Sequence, residues 1–528
     1  SFLLAALLLS FLGYYWQPSV FAQSPELSIA INRDESTLQP YTYVTGYPGW
    51  NLLNLIYDTL FILDAENQPQ PWLVESMQVS EDGKTYTLKL KEGVKWQDGE
   101  TLTSADDKIA YEFYKDKRHS RWTPPMRSIA QIDTPNPQTV VFNLESANAG
   151  FVYQPLADVP IIPQHIWQGT TDPKTLETRV GSGPYQLQEY QSDQIYRLRA
   201  HPNYFAGKPA IEELLIPIIP ENTTIFSALR TGEIQATTRP TPPELVQEFE
   251  RDANLKVVRG AGFGSTLLQF NSERDPWSQV AVRQAMDLAI DREQLVERVL
   301  LGYGTKAESG WFHPASPAHN PDLRSLYNLE QAQSLLEEQG FRDSNGNGIR
   351  EANGQEMEGS LLVAANNPIR LRTAELIAAD LDKIGIRLTV TALEPESLDA
   401  RVWPDGDVSK GRDYDLAIWG WSAPVQINPL RMISLVHSDP AIGTLNIGGY
   451  RNPEADALAE VWTATADPAE QIQRSHQLEA LIAEEVPFAM LFFEDGIYSF
   501  RPQAYDRWTF QKGQGIFQKL SFLPDVRL

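Results

Sequence analysis

Cysteine is absent from all 528 residues, which excludes disulfides, thiol catalysis, Cys-ligated zinc and a lipid-modified N-terminal cysteine. Histidine is scarce: the seven from His119 to His476 show no metal-ligand spacing, and no His-Glu-x-x-His, Gly-x-Ser-x-Gly or Walker pattern occurs. Basic residues are the minority, 44 against 69 acidic ones, and a net charge of −25 repels phosphate backbones, so nucleic-acid binding is not expected. Beyond the first residues no apolar run is long enough to span a bilayer. The run Phe2 to Leu12, with the small residues Val20 and Ala22 before Gln23, has the short apolar region and cleavage pattern of a secretory signal. Residues 1–22 are therefore read as a signal peptide, and the protein as released into a periplasm without a lipid anchor.

With 42% hydrophobic and 10% aromatic residues the chain can bury two or three domains. Enzyme patterns are weak. Asp106-Asp107 and Glu484-Glu485 are adjacent on helices, point apart, and cannot by themselves flank a glycosidic bond. A secreted hydrolase whose two acids meet only in the fold stays open as an alternative of another class. The Gly181-Ser182-Gly183-Pro184-Tyr185 turn leads into a strand, not a helix, and so is not a phosphate cradle.

The stretch Phe263 to Tyr303 organises the reading. An extended segment to Asn271 passes through a turn at Pro276-Trp277 into a helix with Val282, Ala285, Met286 and Ala289 on one face. Asp291 caps the next helix, and Gly302 stops it. The wording of this stretch (Phe270-Asn271, Pro276-Trp277, Val282 to Ala285, Ala289 to Arg292, Gly302 and Gly304) resembles the peptide and nickel type of solute-binding proteins of ABC importers, family 5. Glu92 to Trp96 with Asp98-Gly99, after a hairpin turn at Ser80 to Gly83 and before a helix capped by Ser104 to Asp106, carries the same resemblance.

The resemblance implies an α/β periplasmic-binding-protein-like fold of the cluster C type, with two hinged lobes and an accessory domain. It divides the chain into lobe I at 26–71, 179–267 and 486–528, the accessory domain at 72–178, and lobe II at 268–485. Crossings are expected near Ser265 to Asn271 and Glu485 to Phe488, with Pro487 to Phe500 as one returning strand. No catalysis or cofactor is implied. The implied partners are a peptide or other small solute and a membrane permease, with the protein itself a monomer.

A ligand that shifts the lobes toward closure must contact both of them. Aromatics at strand ends are the candidates: Tyr43, Tyr47 and Trp50 from one lobe, Trp403, Trp419 and Trp421 from the other, with Asn271 as a hydrogen-bonding group at a crossing. Core packing explains each aromatic equally well. The acid that holds a peptide ammonium in some relatives has no counterpart after Gly420-Trp421, and Arg370 and Arg372 lie later than the arginine of dipeptide binders. The ligand is read as a peptide or peptide-like solute, with an oligosaccharide as the alternative; nickel chelate binding lacks a histidine cluster. Asp343, Asn345, Asn347 and Glu351 follow the start of a calcium loop, but Gly354 stands where the bidentate Glu belongs. A solvated Asn/Gly turn is preferred there.

Overall fold

The computed structural model describes residues 26–43 and 48–528; the expected signal segment 1–22 and Tyr47 lie outside the described residues. Three main sheets organise the chain. In the first, Glu26–Ala30 lies between Glu213–Pro217 and Ala236–Thr237, parallel to both, and Ile195–Ala200 and Tyr185–Gln191 extend it antiparallel. The two-residue period of a strand sends Leu27 and Ile29 to one face. Ala30 meets Ile225, Phe226 and Leu229 of the helix Asn222–Thr231 on the other. That helix stops at Gly232, whose φ of 90° is the left-handed cap.

The second sheet is antiparallel, in the order Val74–Val79, Thr85–Leu90, Thr139–Leu144, Ile129–Asn136. The helix Ser104–Asp116 packs on it, and Thr103, not Ser104, opens that helix by donating its N–H to Asp106 Oδ2 at 2.8 Å. First and second sheets share one continuous core, from Leu27 and Leu198 through Tyr57, Trp72 and Tyr204 to Leu88 and Phe142. The Gly181–Gly183 turn is part of that packing: a Cβ on Gly181 would stand 2.0 Å from the Ile56 carbonyl oxygen.

The third sheet runs Gly304–Lys306, Phe488–Glu494, Ser265–Phe270, Leu416–Trp419, Glu358–Ala364, Arg387–Leu393. Helices cover both faces, which is why every residue of Ser265–Phe270 is buried. Leu268, Phe270, Leu416 and Ile418 enter one layer with the helices Val280–Ala289 and Pro368–Asp382. Leu267, Ala417 and Trp419 enter the other with Pro453–Ala464 and Pro468–Glu485. Asp291, Asn328, Asn452 and Asp467 each cap a helix through a side-chain oxygen. Among the described residues no helix is long and apolar enough to cross a membrane.

Candidate ligand-binding cleft

Two strands of the third sheet continue side by side into a ribbon that lies against the first. Ser265 pairs with Phe493 on one side of the junction, and Lys256–Gly260 pairs with Gly496–Phe500 on the other. The crossings are therefore Ala261–Gly264 and Glu494–Asp495. This differs from the sequence expectation because Pro487 to Phe500, which reads as one apolar strand, is two strands broken at Asp495. The crossings touch backbone to backbone: a Cβ on Gly262 would stand 2.0 Å from the Glu494 carbonyl oxygen.

Beside these crossings lies a cavity of about 1140 Å³. One wall comes from the shared core of the first two sheets and includes Trp50, Asn54, Arg121, Tyr153, Asp158, Gln514 and Lys519. The other comes from the third-sheet lobe and includes Gly406, Ser422, Val425, Asn428, Arg431 and Ile442. The lips meet where the Ala149 N–H donates to the Thr463 carbonyl at 2.9 Å. A second chamber of about 680 Å³, lined by Met77, Val79, Leu430, Trp462 and Ile472, shares Tyr153 and Ile427 with the first.

The first wall holds two buried ion pairs. Arg121 meets Asp158 in a fork, Nε to Oδ2 at 2.9 Å and Nη2 to Oδ1 at 2.6 Å, and its guanidinium lies 4.2 Å from the Trp50 ring centroid. Deeper, Asp58 Oδ1 accepts from Trp72 Nε1 at 2.9 Å and the Tyr204 hydroxyl at 2.7 Å, and pairs with Lys519, which also donates to the Tyr57 carbonyl at 3.1 Å. Burial pulls the Lys519 ammonium below its usual range, and Asp58 opposes that pull. The Arg431 guanidinium on the opposite wall has no hydrogen bond or ion pair among the described residues, while its backbone N–H donates to the Asn428 carbonyl at 3.0 Å. Burial lowers its pKa, with Asp158 the acid that opposes this from a distance.

The expected residues divide. Trp50 lines the cavity. Tyr43 sits behind that wall, stacked on Trp122 at 5.9 Å. Trp403, Trp419 and Trp421 form an edge-to-face cluster, with 5.5 Å between Trp403 and Trp421 and 6.2 Å between Trp419 and Trp421. They belong to the core of the third-sheet lobe and do not line the cavity. Asn271 is at the far end of the Ser265–Phe270 strand, roughly 20 Å from the crossing at about 3.3 Å per residue. Its side chain is engaged by the fold, donating to the Tyr414 carbonyl at 2.7 Å and accepting from the Glu273 N–H at 3.1 Å. Arg370 packs on Gly420 beside the crossing, with Glu494 as its opposing charge. Arg121, Asp158, Gln514 and Arg431 gave no signal in the sequence, since each is a polar residue in a loop or short helix without periodicity or motif.

The loop at Asp343 uses its oxygens on its own backbone. Asp343 accepts from Gly346, Asn347 and Gly348 at 2.7, 3.1 and 2.8 Å, which holds its carboxyl below the usual range, the Gly348 bond foremost. Asn345 Oδ1 accepts from Asn347, Asn347 Oδ1 from Ile349, and Glu351 from the Ser344 N–H. These bonds describe an Asx turn.

The two-lobed fold recurs in known proteins. The oligopeptide-binding protein AppA of Bacillus subtilis is 27% identical over 478 residues, covering 87% of this chain and 84% of the relative. Heme-binding protein A of Haemophilus influenzae is 27% identical over 464 residues, covering 82% and 80%. The solved structure of Bacillus subtilis AppA in complex with a nonapeptide superposes with a TM-score of 0.72 at 24% identity, over 94% of this chain and 98% of that one. Residues 68–441 match the model of the bacterial extracellular solute-binding proteins, family 5, middle region. The cleft is thus set in a familiar two-lobed scaffold, and the chain belongs to the family 5 bacterial extracellular solute-binding proteins.

Proposed function

We propose that the protein is the periplasmic capture component of an ABC importer. It encloses a peptide or peptide-like solute between its lobes, acting as a monomer, and hands it to a membrane permease. The cavity carries this reading. Its volume of about 1140 Å³ exceeds the roughly 300–1,000 Å³ of ordinary small-molecule pockets. It opens on a second, apolar chamber that offers room for side chains of an extended ligand. The side-chain amides of Asn54 and Gln514 reach this wall without a partner among the described residues. Each amide both donates and accepts, as a peptide backbone requires. The Bacillus relative is named for oligopeptides and its solved structure holds a nonapeptide, while the Haemophilus relative is named for heme. The cleft, more than the family, therefore argues for the ligand.

Closure works about the Gly262 contact between crossings. A solute touching Gln514 on one wall and Asn428 on the other stabilises the closed form, because only that form offers both contacts at once. A sugar needs an open ring face. Arg121 covers the Trp50 face, and Trp403, Trp419 and Trp421 pack on one another. A two-acid hydrolase needs two free carboxylates, whereas the cavity-lining Asp158 is paired with Arg121. The test is a thermal-shift screen of the purified protein against peptides, oligosaccharides and metal chelates. A ligand at 100 times its dissociation constant adds about 2.7 kcal/mol. Peptides are expected to give the shift; a response to oligosaccharides alone, or turnover of any probe, defeats the reading.

A further inference from the structure

The cleft inverts the charge of the molecule. The chain carries a net charge of −25, yet the cavity lining holds four cations, Arg121, Arg127, Arg431 and Lys519, against the single carboxylate of Asp158. Two of the cations are neutralised in place: Lys519 by Asp58, and Arg121 by the fork to Asp158. Arg127 stands at the exposed rim. Arg431 is half-buried in the second wall, and its guanidinium has no hydrogen bond or ion pair among the described residues.

Asp158 is in no position to serve both arginines. Arg121 takes both of its oxygens, and Gln154 Nε2 adds a bond to Oδ2 at 3.1 Å. No acid lines the cavity on the Arg431 side, where Ser422, Val425 and Asn428 are the neighbours. A cation withdrawn from water without a counter-ion costs stability, and the fold recovers nothing from it. A guanidinium so placed offers a rigid, planar donor fork to any carboxylate that enters.

We infer that Arg431 is the seat for an anionic group of the captured solute, a carboxylate, and that it makes the cleft select acidic peptides or peptide-like acids over neutral ones. The inference rests on the cleft being the capture site proposed above. It also supplies that site with a second-lobe contact that only a bound ligand completes. The carboxylate is either the ligand C-terminus or an acidic side chain, and the probes below separate them.

The experiment is isothermal titration of the whole purified chain with three matched pentapeptides and with citrate. The peptides are Ala-Ala-Phe-Ala-Gln as free acid, the same sequence as C-terminal amide, and the amide with Glu in place of Gln. At least one of the two acidic peptides is expected to bind roughly 10- to 100-fold tighter than the neutral amide. A gap carried by the free acid identifies the terminus; one carried by the Glu amide identifies the side chain. Arg431→Gln closes the gap without lowering the melting temperature of the ligand-free protein, and Arg431→Lys retains part of the preference. Equal binding of all three peptides, or a preference that survives Arg431→Gln, overturns the anion seat and leaves peptide capture standing. Binding of citrate alone, lost in Arg431→Gln, keeps the seat and removes the peptide reading. Failure of every probe overturns both.

Discussion

The two walls of the cleft treat charge in opposite ways. On the wall built by the first two sheets, each buried charge has its counter-ion: Asp58 gathers Lys519, Trp72 and Tyr204, and Asp158 holds Arg121 in a fork. On the third-sheet wall, Arg431 waits without one. The difference follows from the cores behind them. The first wall rests on one continuous core that joins two sheets, so its polar groups are tied into a rigid body. The second rests on a separate core and ends in short helices, Ala423–Ile427 and Arg431–Val436, whose apolar side chains enter that core while Arg431 lines the cavity. One wall is a finished surface, and the other leaves a cation unpaired.

The sharpest way to break this comparison is at Asp58. Asp58→Ala strands the buried Lys519 ammonium and two further donors, and is expected to cost about 3–5 kcal/mol. Denaturant unfolding measures it; a loss below about 1 kcal/mol means that the first wall is not held by this cluster. Gly262→Val comes next. Its side chain must push the crossings apart where a Cβ would stand 2.0 Å from the Glu494 oxygen. The expected loss is about 1–3 kcal/mol, together with a smaller ligand-induced thermal shift than wild type. An unchanged ligand response removes Gly262 from the closing movement.

The scaffold was legible because its signals are local or periodic. The caps at Asp291, Asn328, Asn452 and Asp467, the hairpin turn at Ser80–Gly83 and the Val282 to Ala289 stripe each declare themselves within a few residues. The cleft was far less legible. Arg121 and Arg431 line one cavity from positions more than 300 residues apart in the chain. An isolated polar residue in a loop carries no mark of what it will face. The aromatics misled for a related reason. Trp419 and Trp421 end a strand that points toward the crossing, but three large rings so close together stabilise one another edge to face before they offer a surface. The apolar runs Phe488 to Phe493 and Ile497 to Phe500 likewise outweighed the Glu494-Asp495-Gly496 turn between them, because both halves are buried, each in its own lobe.

A third prediction sharpens the contrast with a buried acid outside the cavity lining. Asp107 is fully buried in the helix Ser104–Asp116, and neither carboxyl oxygen has a partner. Burial, with Asp106 beside it, pushes its pKa well above the usual carboxylate range. The folded state therefore keeps a proton that the unfolded chain loses near its ordinary value, so stability falls as pH rises through and beyond that value. Asp107→Asn removes the proton exchange, and its melting temperature is expected to decline less than wild type between about pH 4 and 7. Parallel melting curves across that range count against an orphaned acid at Asp107.

The smallest expected effect is at the Asp343 loop, which tests whether open oxygens there resemble those of a site awaiting cargo. They do not. The Asp343 carboxylate already accepts three backbone N–H groups, and Asn345, Asn347 and Glu351 each accept one more, so a calcium ion would have to displace the bonds that shape the turn. The position that closes a calcium loop with a bidentate carboxylate is Gly354. Melting curves with added calcium and with chelator are therefore expected to coincide. A rise of several degrees with calcium, lost in Asp343→Ala, would mean that the turn reorganises around an ion, and that unfinished binding surfaces in this protein are not confined to the cleft.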